Sequence, residues 1–481
     1  MNKFNIIISI ILSLFVINLN CSHQDQWISL FDGKTLNGWM ASENKNSWKV
    51  EDGALVTSGP RSHLFYMGEV KDHDFRNFEF MADVKTTPGS NSGIYFHTEY
   101  QEEGWLSIGY ECQVINSNKA AGPGAWVERK MTGSIYAIRN LWKSPVPDDE
   151  WFNYHIVVNG KTIRTYINGE LMSDYTQPDK PFRRDGLEGR VLSSGTFALQ
   201  CHDPESTVYY KNIKVRPLPD NIPSPGKAEE DAEFGARITD LAAMNLPLAD
   251  LHVHLKGGLD LDHAMANARR YGYSYGIAVN CGLKMGYESD SALLDFLNTY
   301  EKPPHTWLAM QAEGREWLGM FSEDVISKFD YVFTDAMTWT NDNGKRMRLW
   351  IKEETEVGDP QDFMEQLVTR IEKIFSTEPV DIYVNPTYLP DEITDRYDEL
   401  WTEERMDRVI KTLLDNNVAL EINNVRRIPS PAYIKRAKAA GVKFTFGTNN
   451  SNADNLGRMD YAIEMIRECG LKPSDMWMPV K

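Results

Sequence analysis

Tyr154-His155-Ile156-Val157-Val158-Asn159-Gly160-Lys161-Thr162-Ile163-Arg164-Thr165-Tyr166-Ile167-Asn168-Gly169 carries the pattern that repeats through the first half of the chain. Two runs, Tyr154–Val158 and Ile163–Ile167, are rich in β-branched and aromatic residues, which favour a pleated strand. Asn159-Gly160 lies between them, and Asn and Gly accept the positive φ of a tight hairpin. Asn168-Gly169 marks the next turn. The same grammar extends in both directions, through Asn77–Lys85, Ser92–Thr98, Gly109–Ile115 and Thr196–His202, with Gly, Pro and Asn between the runs. Many short strands with no helical period predict a two-sheet sandwich over residues 27–216.

Strand alternation sorts the side chains of three of these segments. Glu111 and Gln113 share one face, and Cys112 and Val114 take the other. Gln200 and His202 share a face, with Cys201 turned away. Tyr95 and His97 are paired against Ile94 and Phe96. The apolar faces are expected to form the core. If these strands are neighbours, their polar faces line one concave surface of hydrogen-bonding and proton-transfer groups, which suits a sugar.

Pro217, Pro219, Pro223 and Pro225, followed by Glu229, Glu230, Asp231 and Glu233, read as a linker over 218–235, because Pro interrupts regular elements and like charges stay solvated. From 236 to 481 the pattern alternates. Apolar strands at Ala249–Leu255, Gly276–Asn280, Trp307–Gln311, Tyr331–Thr334, Ile382–Asn385, Ala419–Ile422 and Lys443–Gly447 are interspersed with helical stretches at Asp262–Tyr271, Asp362–Phe375, Glu403–Asn416 and Ala432–Ala440. About seven β/α units predict parallel strands closed into a barrel. The fold class is therefore multidomain, an all-β sandwich followed by an α/β barrel.

The chain has 481 residues, enough for two or three domains, with 42% hydrophobic and 25% charged residues. This composition excludes a disordered chain and a multi-span membrane protein. A net charge of −18 argues against nucleic acid as a partner, since phosphate contacts need a basic footprint. Five Cys are too few for a disulfide scaffold. At the N-terminus, Lys3 precedes an apolar run from Phe4 to Ile17, and Cys21 follows in Asn18-Leu19-Asn20-Cys21. Residues 1–21 resemble a bacterial lipoprotein export signal, although Asn18 and Asn20 stand where that signal usually has Leu and a small residue. The resemblance implies lipidation at Cys21, and a membrane-anchored protein of the periplasm or outer membrane of a Gram-negative bacterium.

The first domain carries a family resemblance, in Trp27–Trp39, Trp48–Gly53, Asn91–Phe96, Gly109–Val114, Thr132–Tyr136, Trp151–Asn153 and Leu199–Asp203. In order and spacing these blocks resemble the 3-keto-glycoside 1,2-lyase/3-keto-2-hydroxyglucal hydratase family, also called 3-keto-disaccharide hydrolases. The resemblance implies a concanavalin-like jelly roll over residues 22–217 and cleavage of an oxidised glycoside. A ketone at C3 acidifies the C2 proton, a base removes it, the enolate expels the C1 substituent, and water adds to the resulting glucal. Glu111 or His202 is then the base. His97, Gln113, Gln200 or a bound divalent cation holds the enolate oxygen. Tyr95 is expected at the substrate. Trp105, Trp126 and Trp142 either stack on the sugar or pin their loops. A separate oxidoreductase must make the ketone, because no Gly-rich nucleotide turn is present.

The second domain begins with Ala249-Asp250-Leu251-His252-Val253-His254-Leu255, two imidazoles on one strand face at the end of a barrel where sites are built. With Glu313 in Gln311–Gly314, Asp330–Phe333, Val380–Pro386, Ala419–Asn423 and Phe446–Ser451, it resembles the polymerase and histidinol phosphatase (PHP) superfamily of metal-dependent phosphoesterases, a distorted TIM-type barrel. Asn280-Cys281, Asn385-Pro386 and Thr448-Asn449-Asn450-Ser451 stand where that superfamily has Asp-His, His-Pro and Ser-Asp-Ala-His. His252, His254, Glu313 and Asp335 remain, so at most one divalent metal, or a polar pocket without metal, is expected. The rival reading is a carbohydrate-binding sandwich joined to a phosphoesterase barrel.

Overall fold

The computed structural model describes residues 26–119, 127–341, 343–457 and 459–480. The export signal, Cys21 and Trp126 lie outside the described residues. Two antiparallel sheets form the first half. The larger runs in the order Glu170–Thr176, Thr162–Ile167, Phe152–Asn159, Phe78–Thr86, Thr207–Pro217, Ala54–Ser58 and Trp48–Glu51, with the short strand Ile28–Ser29 also on Thr207–Pro217. The Asn159-Gly160 hairpin pairs Val158 with Ile163 and Tyr154 with Ile167. Along Phe78–Thr86 and Phe152–Asn159, buried and half-buried residues alternate, so this sheet has one face on the core and one toward water.

The smaller sheet runs Trp39–Ala41, Ser62–Tyr66, Thr196–Cys201, Ser92–Thr98 and Tyr110–Val114. Its inner face supplies Leu64, Ile94, Phe96, Cys112, Val114, Leu199 and Cys201 to the core, against Phe78, Phe80 and Val84 of the larger sheet. Every residue of its strands at 62–66, 92–98, 110–114 and 196–201 is buried. Its outer face is therefore not wet: loops close over it, and a second small cluster of Phe65, Tyr95, Leu106 and Ala198 packs there.

In the second half, seven parallel strands close a barrel in the order Ala249–Val253, Ser274–Cys281, Trp307–Ala312, Tyr331–Thr334, Ile382–Tyr383, Ala419–Asn423 and Phe444–Gly447. Helices on the outside present apolar stripes to it. The longest, Pro360–Thr377, starts at Asp359, whose carboxylate accepts from the Gln361 and Asp362 amides, and buries Phe363, Leu367, Ile371 and Ile374.

The acidic stretch after the sandwich is not a free spacer. Leu218 N donates to Asn77 O, Lys161 N to Ser224 Oγ and Gly226 N to Thr162 Oγ1, so the chain lies along the larger sheet. A helix, Ala232–Ala243, begins inside the segment read as linker, capped by the Asp231 carboxylate. Acids at 231 and 233 suit that helix N-terminus rather than a solvated tether.

The two halves are joined by more than this segment. The sandwich loop 127–143 reaches onto the barrel, where Trp142 joins the barrel's hydrophobic core and its indole N–H donates to Gly272 O at 3.0 Å. Asn140 Nδ2 donates to Ala242 O (3.0 Å), and Lys143 Nζ to Thr306 O (2.8 Å).

Candidate functional site

The outer face of the smaller sheet forms the floor of a cavity of ≈250 Å³. Register brings its residues together: Tyr95 lies opposite Glu111, and Gly93 opposite Gln113. Gly93 matters because a Cβ there would stand 2.7 Å from Glu111 Oε1, so the missing side chain makes the space the carboxylate occupies. From the next strand, Gln200 Nε2 donates to Tyr95 Oη (3.0 Å) and to Glu111 Oε1 (3.4 Å). Gln113 satisfies its surroundings with its amide nitrogen toward Ser92 O (3.2 Å) and Glu111 Oε1 (3.3 Å).

Loops supply the walls. Arg190 Nη2 donates to Glu111 Oε2 at 2.9 Å, with both side chains buried. Burial works against the Arg190 charge, but Glu111, Tyr95 and Tyr136 outweigh it and hold the guanidinium protonated. Its Nη1 and the Gln200 Oε1 are buried without a partner among the described residues. On another wall, Tyr136 Oη donates to Glu128 Oε2 (3.1 Å), and burial keeps both the Tyr95 and Tyr136 phenols far above the usual range, hence neutral. At the rim, His202 Nδ1 meets Asp203 Oδ2 at 2.8 Å, and the exposed Trp105 ring lies 4.9 Å from the His202 ring. This leaves Nε2 of His202 for a ligand.

Of the sequence-predicted residues, Glu111, Gln113, Gln200, His202, Tyr95 and Trp105 all line this cavity. His97 does not. Its φ of +55° breaks the strand alternation that paired it with Tyr95, and its ring turns inward against Phe78 and Phe96. There Nε2 meets Arg76 O and Nδ1 accepts from the Ser193 amide. Trp142 is also no sugar platform, being buried in the barrel core. Sequence reasoning missed Arg190, Glu128, Tyr136 and Asn91, which also line the cavity.

A second cavity, of ≈270 Å³, opens at the C-terminal ends of the barrel strands. His254, Glu313 and Asp335 line it, whereas His252 does not. His252 is buried beneath, its Nδ1 2.6 Å from Glu421 Oε1 and its Nε2 3.3 Å from Gln311 Oε1. His254 turns Nδ1 to Ala278 O (3.2 Å). Glu313 Oε1 accepts from Asn280 (3.2 Å) and Gln311 (2.8 Å), and Asp335 Oδ2 accepts from Asn385 (3.2 Å). Burial, with Asp335 nearby, pushes Glu313 up to about 8. The four residues expected to hold a metal are thus not assembled as one ligand set: both ring nitrogens of His252 face protein oxygens, and among the described residues no three His, Cys, Asp or Glu side chains group as metal ligands. The donor set does not fit the metal that a PHP-type barrel implies.

Residues 26–216 match the family model of the 3-keto-alpha-glucoside-1,2-lyase-like domain. A 3-keto-disaccharide hydrolase of Bacteroides thetaiotaomicron is 35% identical to the chain, over 40% of the chain and 79% of that protein. The chain belongs to the 3-keto-disaccharide hydrolase family. The family match falls on the sandwich, so the cavity around Glu111 is the one that belongs to a 3-keto-disaccharide hydrolase domain, and that domain is hydrolase-like and carbohydrate-active. Among solved structures, a glycosyl hydrolase of Parabacteroides distasonis is 23% identical, with a TM-score of 0.35, covering 40% of the chain and 94% of its own. A histidinol phosphate phosphatase of Lactococcus lactis, solved with zinc, L-histidinol and phosphate, is 13% identical, with a TM-score of 0.34, covering 47% of the chain and 95% of its own.

Proposed function

We propose that the sandwich cavity cleaves 3-keto-glycosides by elimination and hydration. The observation that supports this reading most is the pairing, across one cavity, of the His202–Asp203 dyad with the Glu111–Arg190 pair. Asp203 orients His202, so Nε2 serves as the base that takes the C2 proton. Glu111 is engaged by Arg190, Gln200 and Gln113, which suits a carboxylate that grips sugar hydroxyls better than one that moves protons. The positive Arg190 stabilises the negative oxygen that develops at C3. Tyr136, neutral and turning its O–H from Glu128 to the substrate, protonates the departing C1 oxygen, and the water that adds to the glucal returns a proton to it. Water then adds across C1 and C2 of the glucal, the proton returns to C2, and the net result is hydrolysis. Trp105 gives the ring a stacking surface at the rim.

In this reading the sandwich is a concanavalin-like jelly roll, and a separate oxidoreductase supplies the 3-keto substrate. The barrel is an altered PHP-like domain. Its amides at 280, 385 and 449 weigh against phosphoesterase chemistry, since neutral ligands do not offset the charge of clustered cations.

The test is turnover by the full chain on a 3-keto-glucoside and on the same glucoside unoxidised. Release of aglycone from the ketone alone, with a transient 2-hydroxyglucal seen by absorbance and mass, is expected. Equal rates on both substrates would point to a conventional two-carboxylate hydrolase.

A further inference from the structure

The barrel mouth has the form of a site but lacks the ligands of a metal centre. Six strand ends each place a polar group around it: His254 after Ala249–Val253, Asn280 in Ser274–Cys281, Glu313 after Trp307–Ala312, Asp335 after Tyr331–Thr334, Asn385 after Ile382–Tyr383 and Asn449 after Phe444–Gly447. We infer that this mouth binds an uncharged polyhydroxylated molecule of monosaccharide size, held by carboxamides and buried acids where a PHP-like barrel would hold metal ions.

The amides form two hydrogen-bonded groups. Asn385 Oδ1 accepts from Asn423 (3.0 Å) and Asn449 (2.8 Å), while its Nδ2 donates to Asp335. Asn280 and Gln311 both donate to Glu313 Oε1. A carboxamide offers a donor and an acceptor side by side, as a sugar hydroxyl does, and a fixed set of them recognises hydroxyl positions without net charge. Glu313 is 4% exposed, and its Oε2 is buried with no partner among the described residues. A carboxyl oxygen left unpaired in the interior is costly, and a ligand hydroxyl, which both donates and accepts, would satisfy it in either protonation state.

Charge does not decide the ligand. Lys256 and Arg426 lie at the cavity with Asp335, and Glu313, pushed up to about 8 by burial, is mostly protonated at neutral pH and offers an O–H rather than a repelling charge. The side-by-side donors and acceptors of the amides are what favour a neutral polyol, with phosphate as the rival probe. Trp350 and Met337 in the same lining offer an apolar wall for the C–H face of a sugar ring. At ≈270 Å³ the cavity lies just under the ~300–1,000 Å³ usual for small-molecule sites, which matches one ring rather than two. The inference stands apart from the chemistry proposed for the sandwich, since none of these residues lines that cavity.

The experiment is calorimetric titration of the full chain carrying both Glu111→Gln and Trp105→Ala, which weakens binding at the sandwich and leaves the barrel mouth untouched. The probes are glucose, galactose, myo-inositol, inorganic phosphate and zinc. One equivalent of saturable binding by at least one of the three polyols is expected, unchanged by a chelator and weakened at least ~10-fold, the scale of one lost hydrogen bond, in both Asn280→Ala and Glu313→Gln. Asn280 is only half-buried, so its variant keeps the test clear of misfolding. Three outcomes would overturn the inference: no polyol binding, polyol binding indifferent to both variants in protein that melts normally, or a stoichiometric zinc site lost in His254→Ala.

Discussion

Glu111 shows how far single residues could be read from the chain. Alternation along a strand placed it with Gln113, and alternation in a second strand brought Gln200 to the same face; both hold because these strands are regular there. The same rule failed at His97, where one left-handed residue reverses the side-chain direction, a kink that no pattern of hydrophobicity announces. At the site, His202→Ala should lower turnover on a 3-keto-glucoside by ~100-fold or more, the usual scale for a lost general base. Glu111→Gln should instead raise KM more than it lowers kcat, if its role is to grip the sugar; steady-state kinetics on both variants separates the two roles. Gly93→Ala tests the space beneath the carboxylate: it should abolish activity, with the fold retained by circular dichroism, because the new methyl displaces Glu111. Buried histidines set a pH dependence of their own. Burial lowers His63, His97 and His305 from the ordinary 6.5 to about 4. Each is neutral in the fold and takes a proton more readily when unfolded, so the stability they allow is complete above pH 6.5 and is lost as pH falls from 6.5 toward 4. Urea titrations across that range should show it, and His63→Phe should flatten part of the slope.

Elements divide into those with a period and those without. All seven barrel strands were legible, since each is a short apolar run between helices, and their ends moved by only a few residues on folding. Helices at Ala232–Ala243, Asp290–Thr299 and Asp460–Glu468 were not, the first because its acids look like a tether until the helix behind them is seen. The walls of the sandwich cavity were illegible for a different reason. Arg190, Glu128 and Tyr136 come from loops, which have no repeat to assign a face, and only the fold brings them to the sheet. One element junction can be tested by substitution. Gly272 ends the helix Leu261–Tyr271 at φ +73°, and a Cβ there would stand 2.9 Å from the Asn140 amide nitrogen of the sandwich loop. Gly272→Ala combines an unfavourable backbone with a collision against main chain, and should cost ~1–3 kcal/mol in chemical denaturation.

At the scale of the whole molecule, the sandwich and barrel share a core boundary instead of hanging on a tether. Asn245 of the barrel accepts from the Arg129 amide (3.0 Å) and from the buried Lys130 Nζ (3.3 Å), and donates to Val127 O (2.8 Å). Lys130 in turn holds Glu128 at 2.7 Å, a wall of the sandwich cavity. Calorimetry should therefore show one cooperative transition for the full chain, where two beads on a string would give two. Asn245→Ala should reduce turnover at the sandwich although it lies on the other half. A normal rate in that variant, or two resolved transitions, would mean the halves act independently.

The loop 127–143 also has a history during synthesis. The ribosome completes the sandwich before any barrel strand exists, since the sandwich strands end at Pro217 and the barrel begins at Ala249. For that interval Trp142 has no core to enter, and Lys130 and Asn140 lack the barrel groups they meet later. The nascent sandwich thus waits with a sticky apolar finger exposed while about half the chain has still to emerge and fold, a stage at which partly folded large proteins are prone to aggregate.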